Sequence, residues 1–236
     1  MTESRDDLPP PPGSRVPPER GQRRRREPIT REAIVEAALR LLDQDGLDQL
    51  SMRRLADELG TGAASLYWHV GSKDGLLDLV LDRVIGELDV PDPDPERWQE
   101  QVKELARAQR AVTLRHRDIV RISLGRIPLG PNALELSERT LAILRAGGLS
   151  DELAVVAQQL LIATVNGFTL DETSPPEEGD WEKAGNAARD YIAALPADRF
   201  PSLRAVASQF TALDRDEAFD LLLDIFVSGL AARRRE

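Results

Sequence analysis

Residues 51–70 read SMRRLADELGTGAASLYWHV and carry the most specific chemistry in the chain. After Ser51, Leu55, Ala56 and Leu59 share one face of a short helix that Gly60 ends, and Leu66 and Val70 share one face of a second. Two short amphipathic helices about a Gly-containing turn form the layout of a helix-turn-helix. Gly62, Ala63 and Ala64 open the second helix with small side chains, so its first turn can enter a groove unobstructed. Tyr67 and His69 lie off the buried stripe. A tyrosine offers a hydroxyl to a phosphate or base edge and a ring to a thymine methyl. Ser72 and Lys73 begin the next helix, where free N–H groups and the positive end of the helix dipole favour phosphate. This is recognition chemistry, with no bond made or broken. A purely structural reading stands beside it. Under that reading Ser51 is only a helix cap, Trp68 belongs to the core on the apolar side, and Arg54 pairs with Asp57 or Glu58.

Other chemistries have little to stand on. The 236 residues include no cysteine, which excludes disulfides, thiolate metal sites and a cysteine nucleophile. The two histidines are His69 and His116, and no second metal ligand lies at helical spacing from His69. No paired-carboxylate or phosphate-loop motif is present, and solvated helix faces account for the many Asp and Glu. The expectation is a protein that is not an enzyme and takes no cofactor and no metal. No apolar run approaches the roughly 18–20 residues of a membrane-spanning helix. The start of the sequence is polar and proline-rich, without the apolar centre of a signal peptide. A cytoplasmic protein without a membrane partner is expected.

The net charge of −10 bears on DNA binding only through where it sits. Residues 20–88 are nearly balanced at −1, whereas residues 89–236 carry −7. The acidity is in the second half, away from the helix-turn-helix. Hydrophobic residues make up 41% and charged residues 31%, an ordinary globular mix with enough length for a substantial core.

The elements that must position these residues are all helical. Residues 1–28 lack apolar periodicity and hold proline runs and the basic block Arg23–Arg26, which reads as a disordered tail. From Thr30, a helix N-cap, Ile34, Val35, Ala38, Leu41 and Leu42 recur at helical spacing as far as Gly46. A fourth helix after Ser72 holds Leu76, Leu77, Val80, Val84 and Leu88. Pro91, Pro93 and Pro95 then break the chain and mark a domain boundary. Helices are expected over residues 96–116, 131–146, 151–170, 181–195 and from 214 or 216 to 232, with residues 173–180 as a loop. No segment alternates as a strand does. The chain is therefore read as all-α: a tail over 1–28, a DNA-binding head over 29–90 and a second domain over 91–236.

SLYWHVGSKDGLLD at 65–78, with LSMRRLADELG before it, closely resembles the tetracycline-repressor (TetR) family of bacterial transcription regulators. WQEQVKELARAQRAVTLRHRDIVRISLGRIP at 98–128 is similar to the start of the ligand domain in tetracycline repressors, and NGFTL at 166–170 and AFDLLLDIFVSGL at 218–230 are similar to their dimerising helices. The resemblance implies a ligand-responsive repressor: a homodimer that binds a palindromic double-stranded operator and leaves it when a small-molecule effector binds. An activator or a ligand-independent regulator on the same fold is the alternative. Arg53 then matches a base-reading position, and Arg is suited to guanine. Ala63 and Ala64 match base-contacting positions that hold Gln and Pro in tetracycline repressors, which implies a different operator preference. Tyr67, His69 and Lys73 match base or phosphate contacts, and Ser51 adds a phosphate bond.

For the effector, the matching positions are Leu105, Gln109, Ser123, Arg126 and Arg139. Ser123 stands where that family places a metal-holding imidazole, which argues against a magnesium–tetracycline complex. Arg126 and Arg139 suit an anionic or carbonyl-rich ligand if they face the cavity, or else lie on the surface. His116 is read as structural. The last helix is apolar on more than one face, with Phe219, Leu221, Leu222, Leu223, Ile225, Phe226, Val227 and Leu230. That coverage implies burial against both body and partner, completed by Leu153, Val156, Leu160 and Val165, although a single buried central helix would also explain it. Arg23–Arg26 is either a solvated tail or an arm on phosphates or in the minor groove. If it is an arm, deleting residues 1–26 weakens binding to all DNA and flattens the salt dependence; an unchanged slope in a salt titration removes that reading.

Overall fold

The computed structural model describes residues 29–174, 181–209 and 214–234. Among these residues are eleven α-helices and no strand. The basic block Arg23–Arg26 and most of the loop expected over 173–180 lie outside the described residues.

Thr30 caps α1 (Arg31–Asp45) by accepting the Ala33 N–H, and Gly46 stops it at a φ of +84°. Ser51 caps α2 (Met52–Glu58), and Gly62 opens α3 (Ala63–Val70) with no side-chain cap. Ser72 caps α4 (Lys73–Ile85). The proline-interrupted stretch follows, and then the second set: α5 (Trp98–Arg115), α6 (Ile119–Ser123), α7 (Pro131–Ala146) and α8 (Asp151–Thr173). After them come α9 (Trp181–Ala193), the short α10 (Pro201–Ala205) and α11 (Arg215–Ala231).

The apolar interior forms two clusters. Ile34, Leu42, Leu55, Leu66, Leu76 and Val80 centre the first, between α1 and α4. That cluster also takes in Val112 from α5 and Ile119, Val120 and Ile122 from α6. Trp98, Leu105, Ile143, Leu144, Leu161, Val165, Phe219 and Leu223 centre the second, where α5 packs on α7, α8 and α11. α8 is 23 residues with a mean hydropathy of 1.6 over its most apolar window, long and apolar enough to cross a membrane, contrary to the sequence reading. In the fold it lies against α5 and α7 and buries Ala154, Ala157, Leu161, Val165 and Thr169.

α4 and α7 are joined by a shared cap. Gly130 precedes α7 and has no side chain to offer, and Pro131 has no N–H. The free N–H groups of the first turn go instead to Asp82 of α4: the Ala133 N–H donates to its Oδ1 at 3.0 Å, and the Asn132 side-chain amide to its Oδ2 at 3.2 Å. A Cβ at position 130 would collide with the Asp82 carboxylate, so glycine is required there. Asp82→Ala leaves the buried Ala133 N–H unmet and lowers the unfolding free energy by about 1–3 kcal/mol. Urea denaturation measures this, and an unshifted midpoint contradicts the cap.

Candidate DNA-recognition face and ligand cavity

The face around α3 collects most of the expected DNA-binding residues. Ser51 Oγ accepts the Arg54 N–H at 3.2 Å, so the cap role holds. Arg53 is exposed and makes no hydrogen bond or ion pair to another described residue. Arg54 pairs with Asp45 of α1 at 2.5 Å, not with Asp57 or Glu58. Ala64 is exposed, whereas Ala63 is partly buried against the head core. Tyr67 is about half exposed, at 46%. His69 is half-buried with its ring edge-on to Trp68, 4.8 Å between centroids. Lys73 is exposed and has no partner among the described residues.

Trp68 corrects the sequence reading. It was expected in the core but is 83% exposed beside Tyr67. Leu66 and Val70 are the buried residues of α3, and Trp68 lies two positions from each, on the opposite side of the helix. A large aromatic ring left in water on the outer face of this helix adds to the surface available to DNA.

A cavity of about 110 Å³ lies between α4, α5, α6, α7 and α8. Leu105, Gln109 and Ser123 line it, as the sequence suggested. Arg126 and Arg139 do not. The Arg126 guanidinium is held by Asp74 at 2.7 Å and Asp78 at 2.5 Å on α4. Arg139 pairs with Glu135 at 2.6 Å and donates to the Val90 carbonyl at 2.8 Å, beside a separate shallow cleft. No charged side chain lines the cavity among the described residues. Its walls are mostly Leu, Val and Ile, with Thr113, Thr140 and two hydrogen-bonded polar groups among them. On one wall the Gln109 amide donates to Asn166 Oδ1 at 3.5 Å, and the Asn166 amide donates to Ser123 Oγ at 3.2 Å. Ser123 Oγ in turn donates to the Val120 carbonyl at 2.7 Å. Elsewhere the Gln158 amide donates to Ser137 Oγ at 2.6 Å. Sequence reasoning missed Asn166, Gln158 and Ser137; the signal was a polar side chain inside an otherwise apolar helix stripe. Among the described residues no group of His, Asp and Glu is arranged to hold a metal ion.

The cavity is wired to the head. α6 lines it through Ile119, Val120 and Ser123, and the residues just before α6 grip the head. His116 Nδ1 faces Asp43 Oδ2 at 3.1 Å on α1, and its Nε2 faces Glu87 Oε2 at 3.2 Å beyond α4. The Arg117 N–H donates to Asp43 Oδ1 at 3.1 Å. Asp118, at a φ of +59°, accepts the Leu47 N–H at 2.8 Å. Burial works against ionisation of Asp118, but the Leu47 N–H and the Arg121 and Arg117 guanidiniums outweigh it and hold the carboxyl below its ordinary range. Burial likewise opposes ionisation of Glu87, and His116 and Arg83 outweigh it, so its carboxyl also lies low. Both groups are therefore fixed negative charges at the junction.

Comparison with known proteins places this geometry. Residues 34–80 match the family described as bacterial regulatory proteins, tetR family, and residues 90–234 match the tetracyclin repressor-like C-terminal domain. An HTH-type transcriptional regulator of Saccharopolyspora erythraea is 37% identical over 218 residues, covering 89% of this chain and 88% of its own. The class A tetracycline repressor of Escherichia coli, from transposon 1721, is 33% identical over 204 residues, covering 85% of this chain and 90% of its own. The solved structure of the Streptomyces coelicolor TetR family protein ActR in complex with actinorhodin is 48% identical, with a TM-score of 0.83, over 89% of this chain and 100% of that one. With its helix-turn-helix head and its helical, cavity-bearing second domain, this chain belongs to the TetR family of bacterial transcriptional regulators.

Proposed function

We propose that this regulator is a homodimeric repressor that an uncharged, largely apolar small molecule releases from a palindromic operator. The observation that carries the ligand class is the cavity lining: apolar throughout, with amides and hydroxyls only. An ionised ligand would enter without a counter-charge, which is costly in a low-dielectric site. The ActR complex with actinorhodin supports an organic effector in this fold, and Ser123 speaks against a magnesium–tetracycline complex, because its hydroxyl is already donated to a backbone carbonyl. The head is assigned to residues 29–90 and the ligand and dimer domain to 91–236. Arg53, Ala64, Tyr67, His69 and Lys73 read or hold DNA, with Ser51 capping and Ala63 seating the helix. Leu105, Gln109 and Ser123 contact the effector, joined by Asn166, Gln158 and Ser137.

The dimer is supported by two outward apolar strips. On α11, Phe219, Leu223, Val227 and Leu230 turn inward, and Leu221 and Ile225 remain exposed. On α8, Val156 and Leu160 are exposed while Val165 is fully buried inside its own protomer, so Val165 leaves the expected interface set. Two copies paired through these strips form a four-helix contact and set two α3 helices about 34–36 Å apart, one per major-groove turn. Effector and operator are coupled through α6. A molecule in the cavity displaces Ile119, Val120 or Ser123 and thereby shifts the grip of His116 and Asp118 on the head. The release requires only that the effector prefer the arrangement in which DNA does not fit.

The test starts with the full chain and the DNA flanking its own gene, titrated with salt. Saturable, salt-sensitive binding is expected, together with a change in tryptophan emission that Trp68→Phe abolishes; unchanged emission on binding overturns the placement of Trp68 at DNA. Neutral polycyclic aromatics then release the complex, whereas their sulfonated counterparts and magnesium–tetracycline do not. Leu105→Phe and Asn166→Leu keep operator affinity within about threefold and weaken release at least about tenfold, since each fills or depolarises the cavity. Equal release by the sulfonated compounds overturns the uncharged-ligand reading.

A further inference from the structure

We propose that Arg31 is a positioning residue for DNA contact, clamping the end of the recognition helix through one nitrogen and holding a phosphate with the others. The proposal rests on the DNA-binding reading above and adds a residue that the helix-turn-helix does not contain.

Arg31 is the first residue of α1, 38 positions before His69, yet its Nε donates to the His69 carbonyl at 3.1 Å. His69 lies in the last turn of α3. Carbonyls at a helix end have no partner within the helix, and an arginine donating there satisfies one of them and opposes the negative end of the dipole. This tie joins the Gly71 cap and the burial of Leu66 and Val70 in holding the far end of the eight-residue α3. The exposed Arg31 side chain uses one donor of five in that bond. Its two terminal nitrogens make no hydrogen bond or ion pair to another described residue. The neighbouring Glu32 forms no ion pair with Arg31, although the Arg31 charge is one of the groups, after its own backbone N–H and the Thr30 hydroxyl, that hold the Glu32 carboxyl below its ordinary range.

The surroundings fit a phosphate. Lys73, exposed and unpaired among the described residues, follows the same end of α3 by way of Gly71 and Ser72. Arg31 and Lys73 thus approach the end of the recognition helix from α1 and from α4. A planar guanidinium anchored at Nε and open at its two amino groups has the geometry for bidentate contact with two phosphate oxygens. Such contacts set register on the duplex without reading sequence.

The test uses the full chain with Arg31→Ala and Arg31→Lys, measuring affinity for operator and for random DNA across a salt series, with thermal unfolding alongside. Arg31→Ala is expected to weaken both DNAs about tenfold at low salt and to reduce the slope of log affinity against log salt by about 0.9 for each head engaged. Its melting temperature stays within about 3 °C of the parent. Arg31→Lys retains most of the slope and loses part of the affinity. Weaker binding with an unchanged slope leaves a structural clamp alone and overturns the phosphate contact; unchanged affinity overturns both roles. If the parent protein itself shows no salt-dependent binding, the DNA-binding reading has failed rather than the role of Arg31.

Discussion

A single carboxylate, Asp82, supplies the hydrogen bonds that the first turn of α7 cannot make for itself, and the relation of head to body depends on it. α4 belongs to the head core through Leu76, Leu77 and Val80, and to the cavity wall through Leu81 and Val84. Because Asp82 lies on α4 between the cavity residues Leu81 and Val84, a turn of α4 disturbs the start of α7. The close fit of Gly130 over the same carboxylate leaves little slack. The α6 grip works beside it: Asp118 rests against Gly46, where a Cβ would lie 2.9 Å from its oxygen. The head is thus held from α7 through Asp82 and from the segment around α6 through His116, Arg117 and Asp118.

Charge is used differently in the two halves. In the body it sets register: Lys103, Arg107 and Arg110 of α5 pair in order with Asp224, Asp220 and Asp216 of α11, at 3.1, 2.8 and 2.7 Å, as antiparallel helices require. Exposed pairs of this kind contribute little stability each, but a shifted register would mismatch all three. Arg110 adds packing over the rings of Phe168 and Phe219. Around α3, by contrast, Arg53 and Lys73 are left without partners among the described residues. An acidic protein thus meets DNA with most of its described arginines paired to carboxylates, while Arg53 and Lys73 near α3 stay open.

Much of this organisation was legible in the chain. The caps at Thr30, Ser51 and Ser72, the stops at Gly46 and Gly71, and Pro131 at the start of α7 are local signals, and the helices begin and end by them. Trp68 was misjudged because residue type was allowed to outrank spacing. Two positions from both Leu66 and Val70 is about 200° around the helix, which already puts it outward. Arg139 and Glu135 sit one turn apart, so that pair was readable. Arg126 finds its acids some fifty residues earlier on α4, which spacing cannot show. The polar pairs of the cavity were hidden for the same reason: Gln109 and Asn166, or Ser137 and Gln158, become neighbours only when the helices pack.

The amides named in the cavity wall donate to neighbouring side chains, and the Ser123, Thr113 and Thr140 hydroxyls donate to backbone carbonyls of their own helices. A site with open donors and acceptors rejects any ligand that fails to match them, because each mismatch strands a polar group. Here most donors of the wall are already met within the protein, so a ligand without matching groups strands little beyond the Gln109 and Gln158 side-chain carbonyls. Discrimination then falls to shape and apolar area, where each added methylene is worth about 1–3 kcal/mol at most. A site of that kind distinguishes related compounds in a graded manner, by how well each fills the space.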